Sequence, residues 1–148
     1  MIITDEAKLR VECVDVLPEE VDSLRVTLEG ELEYSYEMGR PGIGLAAPQI
    51  GINKRMAIVR LTSEHGNVYN VDLVNCKIAQ GFSEDIFDNE GCLSFPGVYK
   101  RTKRYSEIYV VDNVVEPHSF IATGLFGVCI QHELDHWKGR LLPDLSID

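Results

Sequence analysis

Gln131-His132-Glu133-Leu134-Asp135-His136 decides how this chain is read. Two histidines stand four apart, with a glutamate directly after the first: the HExxH pattern. On a helix, positions i and i+4 lie one above the other on one face, so both imidazoles can reach a single metal ion. Glu133 is rotated from His132 by roughly 100° and can sit beside the metal without binding it. That placement suits a general base acting on water activated by the metal.

Outward from this stretch, Thr123 is placed to cap the start of the metal-binding helix, which runs to about Lys138. Gly139 is placed to stop it. Upstream, Val21, Leu24, Leu28 and Leu32 fall at helical spacing and predict a second helix from Glu19 to about Met38. Gly30 weakens its centre by about 1 kcal/mol. Residues 1–18 read as short extended segments broken by Pro18. Residues 42–49 read as a loop or an irregular edge. Strands are expected at Met56–Leu61, Val68–Ile78, Glu107–Asp112 and residues 118–122, with a turn at Gly66-Asn67. Residues 79–97 read as a long polar connection. Strands and helices do not alternate regularly. The expected class is therefore α+β: antiparallel sheets packed around a C-terminal metal-binding helix, with a second helix near the N-terminus.

The chain has 148 residues, enough for one domain, residues 1–148, with a real core. A hydrophobic share of 45% and a charged share of 26% are ordinary for a globular protein. No run approaches the ~18 apolar residues of a membrane span, and the first ten residues lack the apolar core of a signal peptide. The four cysteines form no CxxC pair and read as reduced, as in a cytoplasmic protein. A net charge of −10 argues against nucleic acid as the main ligand.

A third ligand has to come from outside HExxH. No third histidine or glutamate follows at the spacing of the common metalloproteases, and His65 and His118 read as surface residues. Cys129 shares the helix but lies about 10 Å along the axis from His136 at ~1.5 Å per residue. Three ligands spread over that span do not easily converge on one ion. Cys92, between Gly91 and Leu93, can approach from another direction. Cys92, His132 and His136 then make a three-ligand site with an open position, the catalytic arrangement. On ligand type this set suits Fe(II), Zn, Co or Ni about equally.

Three stretches together resemble the motifs of the peptide deformylase family: Gly42-Ile43-Gly44-Leu45-Ala46-Ala47-Pro48-Gln49, Glu90-Gly91-Cys92-Leu93-Ser94 and the HExxH segment itself. The family removes the formyl group from the N-terminal formylmethionine of new proteins. The resemblance implies that Cys92, His132 and His136 bind one divalent metal, natively Fe(II) and replaceable by Ni, Co or Zn. It implies that Glu133 accepts a proton from water and passes it to the leaving amine. Gln49 and the backbone N–H of Leu93 would hold the formyl oxygen. Gln49 suits that role because an uncharged amide donor does not compete for the metal.

Gly42, Ile43 and Gly44 offer backbone on which a peptide could pair as an added strand. Leu125, Val128 and Cys129 lie on the helix face before His132 and are expected to wall a methionine pocket. Glu90 and Arg104 resemble a charged pair that braces the motif near Gln49, although Arg104 also belongs to a basic cluster, Lys100-Arg101-Lys103-Arg104. Asp135 is expected to orient a ligand or nearby backbone. The implied partner is a formylmethionyl peptide emerging from the ribosome, with no membrane and no nucleic acid, and a monomer is expected.

Three residues depart from the family pattern. Phe95 stands where a small aliphatic is usual, Trp137 where leucine is usual, and Tyr99 where many relatives carry an arginine that touches the substrate backbone. The chain also stops soon after the metal helix, where many bacterial relatives add a helix that helps dock on the ribosome. It looks like the trimmed versions found in some viruses of marine bacteria. Two other readings are weighed against a deformylase. One is a metallopeptidase on the same scaffold; the other is a closed structural metal site, which would need neither Glu133 nor Gln49.

Overall fold

Met56–Thr62, here β2, is the strand on which the rest is assembled. Its apolar run is buried on both faces. Met56 and Ile58 point one way, into a cluster with Leu24, Leu28, Leu32 and Leu45. Ala57, Val59 and Leu61 point the other way, into a cluster with Ile108, Val110, Ile130, Leu134 and Trp137. Alternation along a strand sends successive side chains to opposite faces, so one strand serves two cores. The computed structural model describes residues 1–112 and 118–148, with only the backbone of Asp112 and His118.

Two antiparallel sheets and four helices make up the described residues. β1 (Gly44–Ala46), β2 and β3 (Val68–Val74) form the first sheet, in that order. β4 (Lys77–Cys92), β5 (Phe95–Asp112) and β6 (His118–Thr123) form the second. The helices are α1 (Glu6–Leu9), α2 (Val21–Glu37), α3 (Gly124–His136) and α4 (Leu142–Leu145). α2 covers one face of the first sheet, and α3 packs against strands of both sheets. The α+β class with a C-terminal helix among antiparallel sheets is as expected. Among the described residues, no helix is long and apolar enough to cross a membrane.

Several elements differ from their sequence reading. Residues 1–18 hold α1, one turn whose N-cap, Asp5, accepts from the N–H of Ala7 at 3.0 Å. A single turn is too short to show periodicity. α2 starts at Val21, after a 3-10 turn at Pro18–Glu20, and runs through Gly30 unbroken because its leucine stripe is packed. The expected strand Val68–Ile78 is split at Asn75, which has a φ of 50°. The Asn75 side chain instead exchanges two hydrogen bonds with the backbone of Val16.

The largest correction concerns residues 79–97. They are not a polar connection but most of β4, the turn and the start of β5, one long hairpin. The hairpin is polar because most of β4 faces solvent, and register shifts between Phe87 and Glu90 and between Gly91 and Cys92 break its alternation. Those bulges turn Glu90 inward, the buried position of β4. Thr123 occupies the N-cap of α3 without a side-chain hydrogen bond. Gly139, at a φ of 70°, follows the helix end as expected.

Candidate active site

α3 presents His132 and His136 on one face, and the β4–β5 turn brings Cys92 to them from the other side. Their ligand atoms all lie within 4.8 Å of one another. His136 Nε2 is 3.5 Å from Cys92 Sγ. His132 Nδ1 is 2.7 Å from Glu90 Oε2, which holds the proton on Nδ1 and leaves Nε2 for a metal. A thiolate and two imidazoles at this spacing fit a divalent ion of intermediate softness. His65 is exposed in the β2–β3 turn, apart from this cluster, and the His118 side chain lies outside the described residues.

Glu90 and Arg104 are joined as expected, but they brace something else. Arg104 Nε donates to Glu90 Oε1 at 2.8 Å and Nη2 to Oε2 at 2.5 Å. Arg104 Nη1 reaches Asp135 at 2.6 Å. The pair therefore supports His132 and α3 rather than the motif near Gln49. Asp135, whose partner the sequence did not indicate, is fixed by Arg104. Arg104 itself is buried, unlike its exposed neighbours Arg101 and Lys103 in the basic cluster. Burial works against the Glu90 charge, yet Arg104 and then His132 hold its carboxyl down at about 2.

Gln49 sits in the 3-10 turn Ala47–Ile50 and is buried. Its Oε1 accepts from the N–H of Ala46 at 2.9 Å. Its Nε2 donates to Ser94 Oγ at 3.0 Å and lies 3.6 Å from Cys92 Sγ. The amide is thus locked with its donor end toward the cysteine. Ser94 was missed as a site residue. Its position two after Cys92 was the available signal, and its buried hydroxyl is what orients Gln49.

Glu133 is buried, and among the described residues no cation pairs with it. Its Oε1 has no hydrogen-bond partner, and its Oε2 lies 3.8 Å from Cys129 Sγ. Burial pushes the carboxyl up to about 7. Cys129 is held well above the usual thiol range, by burial first and then by the Glu133 charge, so it remains a neutral wall. Burial, then the nearby charge of His132, lowers His136 well below the ordinary imidazole range and keeps it in the neutral, ligating form. Burial would lower His132 too, but hydrogen bonding with Cys92 and Glu90 outweighs it.

A cleft of about 500 Å³ opens beside these groups, a size suited to a side chain and a short length of peptide. Ile43, Gly44, Val128, Cys129 and Leu93 line it, with Leu125 half exposed at the rim. Gly44 is required by close approach: a Cβ there would collide with Glu133 Oε2 and sit 2.9 Å from Cys129 Sγ. Tyr99 packs its ring over Gly91 at the mouth. Trp137 is buried and donates Nε1–H to Met56 C=O at 3.2 Å.

Two imidazoles, a cysteine sulfur and a buried carboxyl beside them are the donor set and the acid–base group that a metallohydrolase centre requires. The polypeptide deformylase family model matches residues 2–146. Peptide deformylase 2 of Xanthomonas axonopodis pv. citri is 38% identical over 143 residues, covering 94% of this chain and 81% of its own length. Peptide deformylase 2 of Gloeobacter violaceus is 39% identical, with 83% of this chain matched to 66% of that protein. The solved structure of a probable peptide deformylase from synechococcus phage S-SSM7 superposes with a TM-score of 0.85 at 33% identity, covering 98% of each chain. That of the Thermotoga maritima enzyme gives 0.82 at 29% identity, covering 100% of this chain and 97% of that one. The chain belongs to the polypeptide deformylase family. It spans 54% to 81% of the length of the Gloeobacter, Xanthomonas and Prochlorococcus relatives.

Proposed function

We propose that this chain hydrolyses the N-terminal formyl group of formylmethionyl peptides, releasing formate. The observation that carries the reading is Glu133: a carboxyl buried beside the Cys92, His132 and His136 cluster, with no cation paired to it among the described residues and its Oε1 without a hydrogen-bond partner. A closed structural metal site has no use for such a group. The bracing of Gln49 by Ala46 and Ser94 supports it, because a fixed amide donor next to Cys92 is what a developing oxyanion needs.

Cys92, His132 and His136 would hold one divalent metal, with Fe(II) as the native ion. When bound, the metal supplies Lewis acidity, making water a nucleophile near neutral pH and polarising the formyl carbonyl. Glu133 takes the proton from the attacking water as its oxygen bonds to the formyl carbon. The formyl oxygen becomes an oxyanion, held by the Gln49 amide and the Leu93 N–H. Glu133 then returns the proton to the methionine nitrogen as the C–N bond breaks, and formate and a free amine leave. Ile43, Gly44, Val128 and Cys129, with Leu125 at the rim, enclose the methionine side chain. The peptide backbone pairs with the exposed edge at Gly42–Gly44. We place the chain in the cytoplasm as a monomer acting on peptides emerging from the ribosome.

The test is formate release from formyl-Met-Ala-Ser by metal-loaded protein. Wild type should release formate and Glu133→Ala should not. Equal behaviour of the two, or cleavage of internal peptide bonds with no action on formyl groups, would overturn the reading.

A further inference from the structure

The two walls of the cleft are tied together near its entrance by one side chain. Residues 39–44 supply one wall and residues 91–99 much of the other. Arg40 Nη2 donates to Leu93 C=O at 3.0 Å and so spans the two. The backbone of Arg40 is held from both sides by Ser35 in α2. Arg40 N–H donates to Ser35 C=O at 2.9 Å, and Ser35 Oγ donates to Arg40 C=O at 2.6 Å. Ser35 is buried, so an exposed arginine is mounted on a rigid base.

A guanidinium has five N–H donors, and the contact with Leu93 occupies one of them. Among the described residues no carboxylate pairs with Arg40. The other charged residues of the cleft lining, Glu90, His132 and Glu133, are all buried. Among the described residues Arg40 is therefore the one exposed charge at the cleft. It also stands out in a chain with a net charge of −10.

We propose that Arg40 is a specificity-determining residue that selects an acidic side chain a few positions downstream of the formylmethionine. The proposal rests on the deformylase reading. Gly44 touches the space around Glu133 and so marks the reacting end of the peptide. Leu45 and Ala46 are buried, so the way out runs past Gly42 and Arg40. A peptide laid extended from Gly44 along this wall, at ~3.3 Å per residue, would bring a residue downstream of the formylmethionine toward Arg40, whose guanidinium reaches across the cleft to Leu93. A planar fork of donors matches a carboxylate, and no second exposed charge in the lining competes for it.

The experiment measures formate release from four-residue formyl-Met peptides with amidated C-termini and Asp, Ala or Lys at positions three and four. Wild type should favour Asp over Ala and Ala over Lys, each step about threefold to fivefold in kcat/KM, the size an exposed ion pair supplies. The difference should lie in KM and shrink in high salt. Arg40→Glu should reverse the order and Arg40→Lys should keep it. Equal rates for the three wild-type substrates would overturn the proposal. So would an Arg40→Glu variant that loses kcat on every peptide alike, because Arg40 would then act only through Leu93. Absence of formate from the Ala peptide would overturn the deformylase reading instead, and this proposal with it.

Discussion

Glu90 Oε2 lies 2.7 Å from His132 Nδ1 while the same carboxylate takes both Nε and Nη2 of Arg104. One buried acid thus orients His132, a candidate metal ligand, and neutralises a buried cation. Glu90→Gln keeps the shape and removes the charge. Breaking a buried pair from one side costs about 3–5 kcal/mol, and loss of the group behind a histidine ligand weakens metal binding about 10- to 100-fold. Thermal melts and metal content after dialysis against a weak chelator check both effects. A Glu90→Gln protein that melts and retains metal like wild type would remove this role.

Ser94→Ala separates orientation of Gln49 from Gln49 itself. Without the hydroxyl, the Gln49 Nε2 loses its 3.0 Å partner while Oε1 stays on the Ala46 N–H. Gln49→Ala should lower kcat by about 100- to 1,000-fold, the usual effect of removing one oxyanion donor. Ser94→Ala should lower it by less, with KM and metal content unchanged. Steady-state kinetics on formyl-Met-Ala-Ser distinguish the two, and a Ser94→Ala enzyme with wild-type kcat contradicts the assignment.

Gly44→Ala tests the closeness of β1 to Glu133. The added methyl would meet Glu133 and Cys129, so the carboxylate has to shift. A displacement of about 1 Å at a reacting group can cost about 100-fold in rate. The expected result is a folded, metal-loaded protein with kcat/KM down by about that factor. Wild-type activity would show that Glu133 has more room than the structure allows.

Arg10 and Asp144 join the two ends of the chain by paired bonds of 2.8 and 2.9 Å. The Arg10 guanidinium, with help from the Leu141 N–H, holds the Asp144 carboxyl down at about 2, against a reference of 3.8. A lowered carboxyl pKa stabilises the fold above the unfolded value, and that stability is lost as pH falls toward the folded value. Asp144→Asn should therefore melt below wild type at pH 6, with the gap shrinking from pH 5 to pH 3. A gap independent of pH over that range would mean that the bond, not the charge, matters.

Stripping the metal with a chelator should abolish formate release, and Ni(II) should restore it. With Fe(II), activity should decay in air and persist under anaerobic conditions, while the Ni(II) form should tolerate oxygen. Equal stability of both forms in air would argue against iron as the native ion.

Much of this architecture was legible because it repeats locally. The leucines of α2, the apolar run of β2 and the spacing of His132 and His136 each follow a helix or strand period. The β4–β5 hairpin was not legible. Its residues are polar on the outside, and bulges near Glu90 and Cys92 break the alternation that marks a strand. In the sequence, Arg104 is paired with Glu90 only through the family resemblance; locally it stands among four cations, and the fold shows it buried against Glu90. Ser94 and Asp135 act through partners 45 and 31 residues away, and sequence spacing does not encode such pairings. Gly44 reads as bare backbone for a peptide to pair with, while the structure adds a steric reason beside Glu133.

The indole of Trp137 donates to Met56 C=O, and Trp137 C=O accepts from the N–H of Cys13 at 2.9 Å. The residue directly after His136 is thereby stitched to the central strand and to the N-terminal segment. Such coupling ties the geometry of the His132–His136 turn to the fold as a whole, because that end of α3 is buried and does not fray without opening the interior. Metal binding is then linked to unfolding by mass action. The melting temperature should climb with metal concentration, and a thermal titration would read the dissociation constant of the centre without any substrate.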